Sequence, residues 1–156
     1  MTQDDMLVAY RRHLAAEQES HDAHAAAAEY VDDGYYELVA FGARLRGRAA
    51  VERNYAATMR AMPDVHFDID GEVIDGDTLV HWGTMIGTVT GPYLGHPPTG
   101  RKVRLPFLAR FEFADGAIRG EQLWFDAATL CEQAGVALAT ARRHVQDAAA
   151  TSPTKD

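Results

Sequence analysis

Four short runs of alternating apolar and polar side chains occupy the second half of this chain, and such alternation is typical of β-strands. The runs cover residues 65–74, 78–90, 103–113 and 117–126, and the second of them is largely apolar or small on both faces, which predicts a central strand. The third is the clearest, because Val103, Phe107 and Phe111 share one face while Arg104 and Arg110 share the other. A sheet built from these runs has one apolar face that must be covered by other elements.

The first half of the chain predicts the helices that cover this sheet. An apolar residue recurs every fourth position, as in Met6, Tyr10 and Leu14, so residues 4–18 predict an amphipathic helix. A second helix is predicted from an N-cap at Ser20 through Tyr30 to about Gly34, and a short strand over 35–39. A third helix is predicted between Gly47 and Pro63, and two more follow the strands, over 127–135 and up to about Ala149.

Helices followed by hairpin-connected strands predict an α+β domain over residues 1–150, with a disordered tail over 151–156. We expect a curved antiparallel sheet with the N-terminal helices packed on its concave face. If the sheet curls into a cone, a cavity forms between sheet and helices. Such cavities are the usual binding sites for small molecules.

Charge and cysteine content exclude several classes of function. The 156 residues contain 15 Lys and Arg against 23 Asp and Glu, so the formal net charge is −8. A chain this acidic has no electrostatic footprint for nucleic acid or for an anionic membrane surface. A single cysteine permits neither a disulfide framework nor a cysteine-based zinc site, and the acidic start does not resemble a signal peptide. We therefore expect a cytoplasmic protein with a small-molecule ligand.

Asp126 is the strongest candidate for acid/base catalysis. Simple alternation places it on the same face of the last strand as Ile118, Gly120, Gln122 and Trp124, which is interpreted as the inward face. A carboxyl group buried beside an indole ring has a raised pKa and can exchange protons near neutral pH. Asp126 also directly precedes a predicted helix and fits the N-cap position. Both interpretations remain open, and they are compatible.

His81 is the second candidate, since it lies mid-strand among apolar residues and a histidine can exchange protons near physiological pH. His13, His21 and His24 have no third metal ligand at a suitable spacing, so neither a metal nor a cofactor is predicted. Cys131 is interpreted as buried and inert. The residues that could form pocket walls are Tyr35, Tyr55, Met59, Trp82, Phe111 and Trp124.

Several segments together resemble the SnoaL-like polyketide cyclases, a branch of the nuclear transport factor 2-like superfamily. They are His21-Asp22, Tyr30 to Asp33, Gly47 to Val51, Met62 to Phe67, Asp75 to Trp82, Gly95 to Gly100, Phe111 to Gly116, Trp124 to Asp126 and Leu130 to Gly135. The resemblance implies the cone-shaped fold of that superfamily and a homodimer paired through the outer sheet face, which carries Arg104, Leu108 and Arg110. It also implies an intramolecular aldol-type ring closure with Asp126 as general acid/base and no cofactor.

Two other branches of the superfamily fit less well. Limonene-epoxide hydrolases need an Arg-x-Asp pair on a central strand, where this chain has His81 instead. Steroid isomerases place a basic Asp just after the first strand, at the position of Leu38. Hydrolysis would need an Arg or Asn in the pocket, and the helical phase of Asn54 is interpreted as pointing away from it. A non-catalytic binding module on the same fold is the main alternative to an enzyme.

Overall fold

The computed structural model describes residues 2–151, which form a six-stranded sheet with helices packed against it. In chain order the elements are α1 Gln3–Gln18, α2 Ala23–Ala28, β1 Tyr30–Leu38, β2 Ala43–Arg46, α3 Arg48–Ala61, β3 His66–Asp75, β4 Thr78–Thr88, β5 Lys102–Ala114, β6 Ala117–Trp124, α4 Ala127–Ala134 and α5 Leu138–Ala150. The α+β class predicted from the sequence is confirmed. No helix within this part of the chain is long and apolar enough to cross a membrane.

The strands lie in the order β2-β1-β6-β5-β4-β3. All neighbouring pairs are antiparallel except β1 and β6, which run parallel. The sequence predicted an antiparallel sheet, with a short strand over 35–39 beside the four later strands, and contained no signal for a parallel pair. The parallel pair forms because β1 arrives from the helical half of the chain and lies beside the last strand.

The second helix is shorter than predicted. Asp22 rather than Ser20 caps α2, accepting a hydrogen bond from the Ala25 amide at 2.9 Å, and the helix ends at Ala28. Tyr30 already pairs with Ile118 of β6, so the residues predicted to end the helix belong instead to β1. Pairing with a distant strand has overridden the local turn signal of Asp32-Asp33-Gly34.

The hairpins and the faces of β5 follow the sequence pattern. Asp115 and Gly116 have φ angles of 52° and 79°, the left-handed pair that a two-residue hairpin turn requires. In β5, every second residue is buried from Val103 to Phe113, whereas Leu108 on the opposite face is exposed. The apolar face of the central strands is therefore the concave face, covered by the helices.

A β-bulge interrupts the alternation in β6. Glu112 pairs with Gly120 and Phe113 pairs with Ile118, so Arg119 is an extra residue with no partner on β5. A one-residue insertion exchanges the two faces for every residue that follows it. As a result Ile118 and Glu121 are both buried, although an odd number of positions separates them.

The predicted C-terminal tail begins at Thr151, the last residue that the structure describes. Thr151 follows α5 in a turn and donates its amide to the Asp147 carbonyl at 3.3 Å. Residues 152–156 lie outside the described residues.

Candidate active site

A cavity of about 920 Å³ lies between the concave face of the sheet and the helices. Its walls are mainly apolar and include Leu14, Phe67, Met85, Leu105, Phe107 and Leu123. It opens between α3, the loop joining β4 to β5, and α5, where the lining residues are exposed. A cavity of this size holds an organic molecule of several rings.

Glu121 of β6 is the carboxyl group that faces this cavity. Its side chain is only 6% exposed and lies directly opposite Phe111 of β5. Oε2 accepts hydrogen bonds from the hydroxyls of Tyr30 and Tyr55, both at 2.7 Å. Oε1 has no hydrogen-bond partner among the described residues, and it is not fully buried. It is therefore accessible from the cavity.

Two features of the environment of Glu121 shift its pKa in opposite directions. Burial raises the pKa of Glu121 to about 7, although the hydrogen bonds from Tyr55 and Tyr30 favour the ionised form. Burial also raises the pKa values of both tyrosines, so that they remain donors at neutral pH. A carboxyl group balanced near pH 7 can both take up and release a proton.

A second carboxyl group, Glu17 of α1, lines the same cavity. Burial, followed by the charge of Glu121, raises the pKa of Glu17 well above its usual value. Its Oε2 lies 3.6 Å from Nε2 of His13, a fully buried histidine whose own pKa burial lowers to about 4. His13 is therefore neutral and supplies no positive charge to either carboxyl group.

His81 of β4 also lines the cavity, as predicted for a pocket residue. The Tyr10 hydroxyl lies 2.7 Å from Nδ1 of His81, and burial lowers the pKa of the histidine to about 4. When Tyr10 donates to Nδ1, the proton of the neutral ring is on Nε2. The ring is then a hydrogen-bond donor towards the cavity rather than a cation.

The predicted wall residues divide between the two faces of the sheet. Tyr55 lines the cavity as expected. Trp82 and Trp124 lie on the outer face and are 40% and 37% exposed, so their prediction as walls is wrong. Trp82 follows His81, and successive strand residues point to opposite faces.

Three further residues predicted as walls lie outside the cavity lining. Phe111 is buried in the core against His81 and His13, and Met59 packs partly buried against the same core. Tyr35 lies on the outer face, where its hydroxyl donates to Glu112 at 2.9 Å. These positions support the fold without lining the cavity.

Asp126 is exposed at the start of α4 and does not line the cavity. Its Oδ1 accepts a hydrogen bond from the Thr129 amide at 3.0 Å, as an N-cap does. The expectation that Asp126 faces inward is wrong, because the bulge at Arg119 moves the later even-numbered residues to the outer face. The same shift turns Glu121, Leu123 and Phe125 inward, where all three line the cavity.

The one sequence signal for this shift is Gly120, since an isolated glycine inside a strand pattern is typical of a bulge. The Tyr35 ring occupies the space where a Gly120 side chain would lie. Nothing in the alternation itself marks Glu121 as buried.

Other potential ligands were also placed by the structure. No group of His, Cys, Asp and Glu in residues 2–151 has an arrangement that could hold a metal ion. Cys131 is buried, and burial raises the pKa of its thiol, as expected for an inert cysteine. Asn54 lines the cavity, which corrects the helical-phase interpretation that it points away.

A curved sheet closed by helices around an apolar cavity with inward carboxyl groups is the cone-shaped architecture predicted from the sequence. The sequence matches the SnoaL-like polyketide cyclase profile over residues 7–134, so the chain belongs to this family. A search of curated protein sequences finds no significant match.

Solved structures share the fold at low sequence identity. A candidate SnoaL-like polyketide cyclase from Jannaschia sp. CCS1 superposes with a TM-score of 0.77 at 18% identity, covering 86% of this chain and 94% of that one. IdmH, a candidate polyketide cyclase from Streptomyces antibioticus, superposes with a TM-score of 0.67 at 23% identity. The match covers 84% of this chain and 99% of IdmH. AclR, a candidate hydroxylase from Streptomyces galilaeus, superposes with a TM-score of 0.72 at 16% identity. The match covers 86% of this chain and 83% of AclR.

Proposed function

We propose that this protein is a cofactor-independent enzyme that uses Glu121 as general acid/base on a hydrophobic carbonyl compound, in an intramolecular aldol-type ring closure. The observation that carries the proposal is a nearly buried carboxyl group with one oxygen held by two tyrosines and the other open to a large apolar cavity. Glu121 thereby takes the role that the sequence suggested for Asp126.

The chemistry follows from the position of Glu121. Its carboxylate removes a proton from the carbon next to a carbonyl group, and the resulting enolate carbon attacks a second carbonyl in the folded substrate. These steps move only protons and electron pairs within the substrate and require no cofactor. A mainly apolar cavity favours the reaction by holding the two carbons of the folded substrate close together.

His81 supports the same assignment as a hydrogen-bond donor. A neutral imidazole facing the cavity can donate to a substrate oxygen on which negative charge develops. The mainly apolar walls favour an aromatic or hydrophobic substrate. Family membership supports the cyclase reaction, and an acidic chain with one buried cysteine is compatible with the cytoplasm.

The proposal is tested with 2-tetralone, a pocket-sized aromatic ketone with exchangeable α-protons. We expect the protein to accelerate exchange of these protons in D₂O, followed by ¹H NMR, and heat-denatured protein to have no effect. The ketone should also raise the melting temperature, since a ligand that binds only the folded state stabilises it. Stabilisation by a panel of such ketones without any exchange would instead identify a non-catalytic binding protein.

Asn54 supports a second candidate reaction, the opening of an epoxide by water. An amide in the cavity can position a water molecule while Glu121 removes its proton. Styrene oxide in the same assay separates the two reactions, because a hydrolase forms the diol and a cyclase leaves the epoxide unchanged.

We also propose that two copies pair through the outer face of the sheet. Trp82, Leu108 and Trp124 are cross-strand neighbours on β4, β5 and β6, and all three are exposed. Adjacent exposed apolar side chains on a sheet are typical of an interface between proteins. The apolar row lies beside Arg110, whose guanidinium bridges Glu112 and Gln122.

Leu108→Glu should therefore convert a dimer into a monomer, because it places a carboxylate at the centre of the apolar row. Sedimentation velocity at about 10 µM protein measures the change, with the dimer at twice the chain mass of 17.1 kDa. Val8→Glu is the matched control, since Val8 is an exposed apolar residue on α1, outside the sheet. A monomeric unmodified protein at this concentration would contradict the proposed pairing.

A further inference from the structure

Glu17 is the second carboxyl group of the cavity, and the reaction described so far does not use it. It lies on α1, on the side of the cavity opposite the sheet, and its side chain is 17% exposed. Among residues 2–151, the one His, Lys or Arg nitrogen within 4 Å of its carboxyl oxygens is Nε2 of His13, which lies 3.6 Å from Oε2. No Arg or Lys among residues 2–151 forms an ion pair with Glu17 or Glu121.

The orientation of His13 determines what Glu17 meets. Nδ1 lies 3.0 Å from the carbonyl oxygen of Ala26, which can only accept, so the ring proton is on Nδ1. Nε2 of the neutral ring is then an acceptor, and it faces Glu17 and the Tyr55 hydroxyl, 3.3 Å away. The Glu17 carboxyl group lies beyond hydrogen-bond distance of this nitrogen, and no donor among the described residues stabilises its ionised form, so burial favours the protonated form.

Glu121 has the opposite surroundings. Two tyrosine hydroxyls donate to Oε2, which stabilises the carboxylate form. Two carboxyl groups in one apolar cavity do not both ionise readily, so the first negative charge belongs on the group that accepts hydrogen bonds. The proton is therefore retained on Glu17 while Glu121 is ionised.

We propose that Glu17 is the acid partner of Glu121, so that the two carboxyl groups act as a pair across the cavity. This inference rests on the proposed function and assigns the second proton transfer of the same reaction. Glu121 removes a proton from the α-carbon as that C–H bond breaks. Glu17 gives its proton to the carbonyl oxygen that receives the electron pair, which is the substrate's own oxygen in enolisation and the attacked carbonyl in ring closure.

The cycle is balanced without any co-reactant. After ring closure a new C–C bond and a new O–H bond have formed, one C–H bond and one C=O π bond have broken, and the product is an isomer of the substrate. Glu121 then holds a proton and Glu17 has lost one. Each group returns to its starting state by proton exchange with solvent through the opening of the cavity before the next turnover.

Arg53 and Arg60 on α3, Tyr93 and His96 in the loop between β4 and β5, and His144 on α5 line the cavity. The titratable groups around the carboxyl pair itself are not cations at neutral pH. They are His13 on α1, Tyr30 and Tyr36 on β1, Tyr55 on α3 and His81 on β4. The part of the pH dependence that disappears in Glu121→Gln or Glu17→Gln should therefore be assigned to the two carboxyl groups.

The order of proton loss is tested first, without any substrate. In protein labelled with ¹³C at the Glu carboxyl carbons, we expect the Glu121 signal to titrate at a lower pH than the Glu17 signal, with the two assigned from Glu121→Gln and Glu17→Gln. Glu19→Gln, an exposed residue on the same helix end, should change neither titration. A Glu17 signal that titrates before Glu121 would overturn the inference and leave the proposed function of Glu121 intact.

The catalytic role is tested by the pH profile of 2-tetralone exchange. We expect kcat/KM of the unmodified protein to rise as Glu121 ionises and to fall at higher pH as Glu17 loses its proton. Glu17→Gln should lower kcat/KM by about 10²-fold and remove the high-pH fall, whereas Glu17→Asp should retain that fall. A uniform decrease with the fall unchanged would show that Glu17 only supports the structure. Absence of exchange in the unmodified protein would count against the proposed function instead.

Discussion

Glu121→Gln should lower the rate of 2-tetralone exchange by about 10²- to 10⁴-fold, the range over which a positioned general base accelerates proton transfer. The amide has nearly the same shape and its oxygen can still accept from Tyr30 and Tyr55, so the cavity should persist. What is lost is the group that takes the proton. The measurement is kcat/KM by ¹H NMR in D₂O at pH 7.

The matched control is Asp126→Asn, which makes the same chemical change at an exposed helix cap. The asparagine side chain can still accept from the Thr129 amide, so helix α4 should retain its cap and the exchange rate should stay within twofold of the unmodified protein. The reverse outcome, with Asp126→Asn inactive and Glu121→Gln active, would return the catalytic role to the last residue before α4. Equal activity of both variants and the unmodified protein would remove acid/base catalysis by either carboxyl group.

Much of the fold could be predicted from local patterns. The four later strands, the helix from residue 4 to 18 and the Asp115-Gly116 turn follow from periodicity and turn chemistry, which depend on neighbouring residues only. The sequence could not reveal β1 in full or its parallel pairing with β6. Tyr30 lies in a strand because Ile118, far along the chain, offers it a partner.

The site was harder to predict because the face on which each residue of β6 lies depends on one inserted residue in that strand. Alternation was applied through β6 without a break, and the bulge at Arg119 reverses every position after it. That one extra residue explains both the misplaced Asp126 and the missed Glu121. His81 was found because β4 keeps its alternation across that position.

The polar partners of Glu121 could not be found from spacing. Tyr30, Tyr55 and His13 come from a strand and two helices, and they meet only when the helices pack on the sheet. His13 was considered only as part of a metal cluster with His21 and His24, whereas its ring is buried and its neighbours are Tyr55 and Glu17.

The same carboxyl group should make the protein less stable at high pH. The pKa of Glu121 is about 7 in the folded protein and close to the ordinary value of 4.5 when unfolded. The unfolded chain therefore loses this proton first as pH rises, and the free energy of unfolding decreases between about pH 4.5 and pH 7. A difference of this size corresponds to about 3 kcal/mol at pH 8, and to less than about 0.5 kcal/mol at pH 4.5, where the folded protein holds the proton and the unfolded chain is half protonated.

Glu121→Gln should therefore be the more stable protein at pH 8, by up to about 3 kcal/mol, and within about 0.5 kcal/mol of the unmodified protein near pH 4.5. Taking the difference between the two proteins cancels His13 and His81, whose lowered pKa values make both proteins lose stability as pH falls from about 6.5 towards 4. Ionisation of Glu17 in the variant would reduce the gain in stability, since the charge of Glu121 no longer opposes that ionisation.

Urea midpoints at the two pH values measure the difference in stability. The control is Glu72→Gln, at a residue that forms a surface ion pair with Arg11. A variant that is less stable than the unmodified protein at pH 8 would mean that the carboxylate is well solvated or paired, which would contradict a raised pKa of Glu121 in the folded protein.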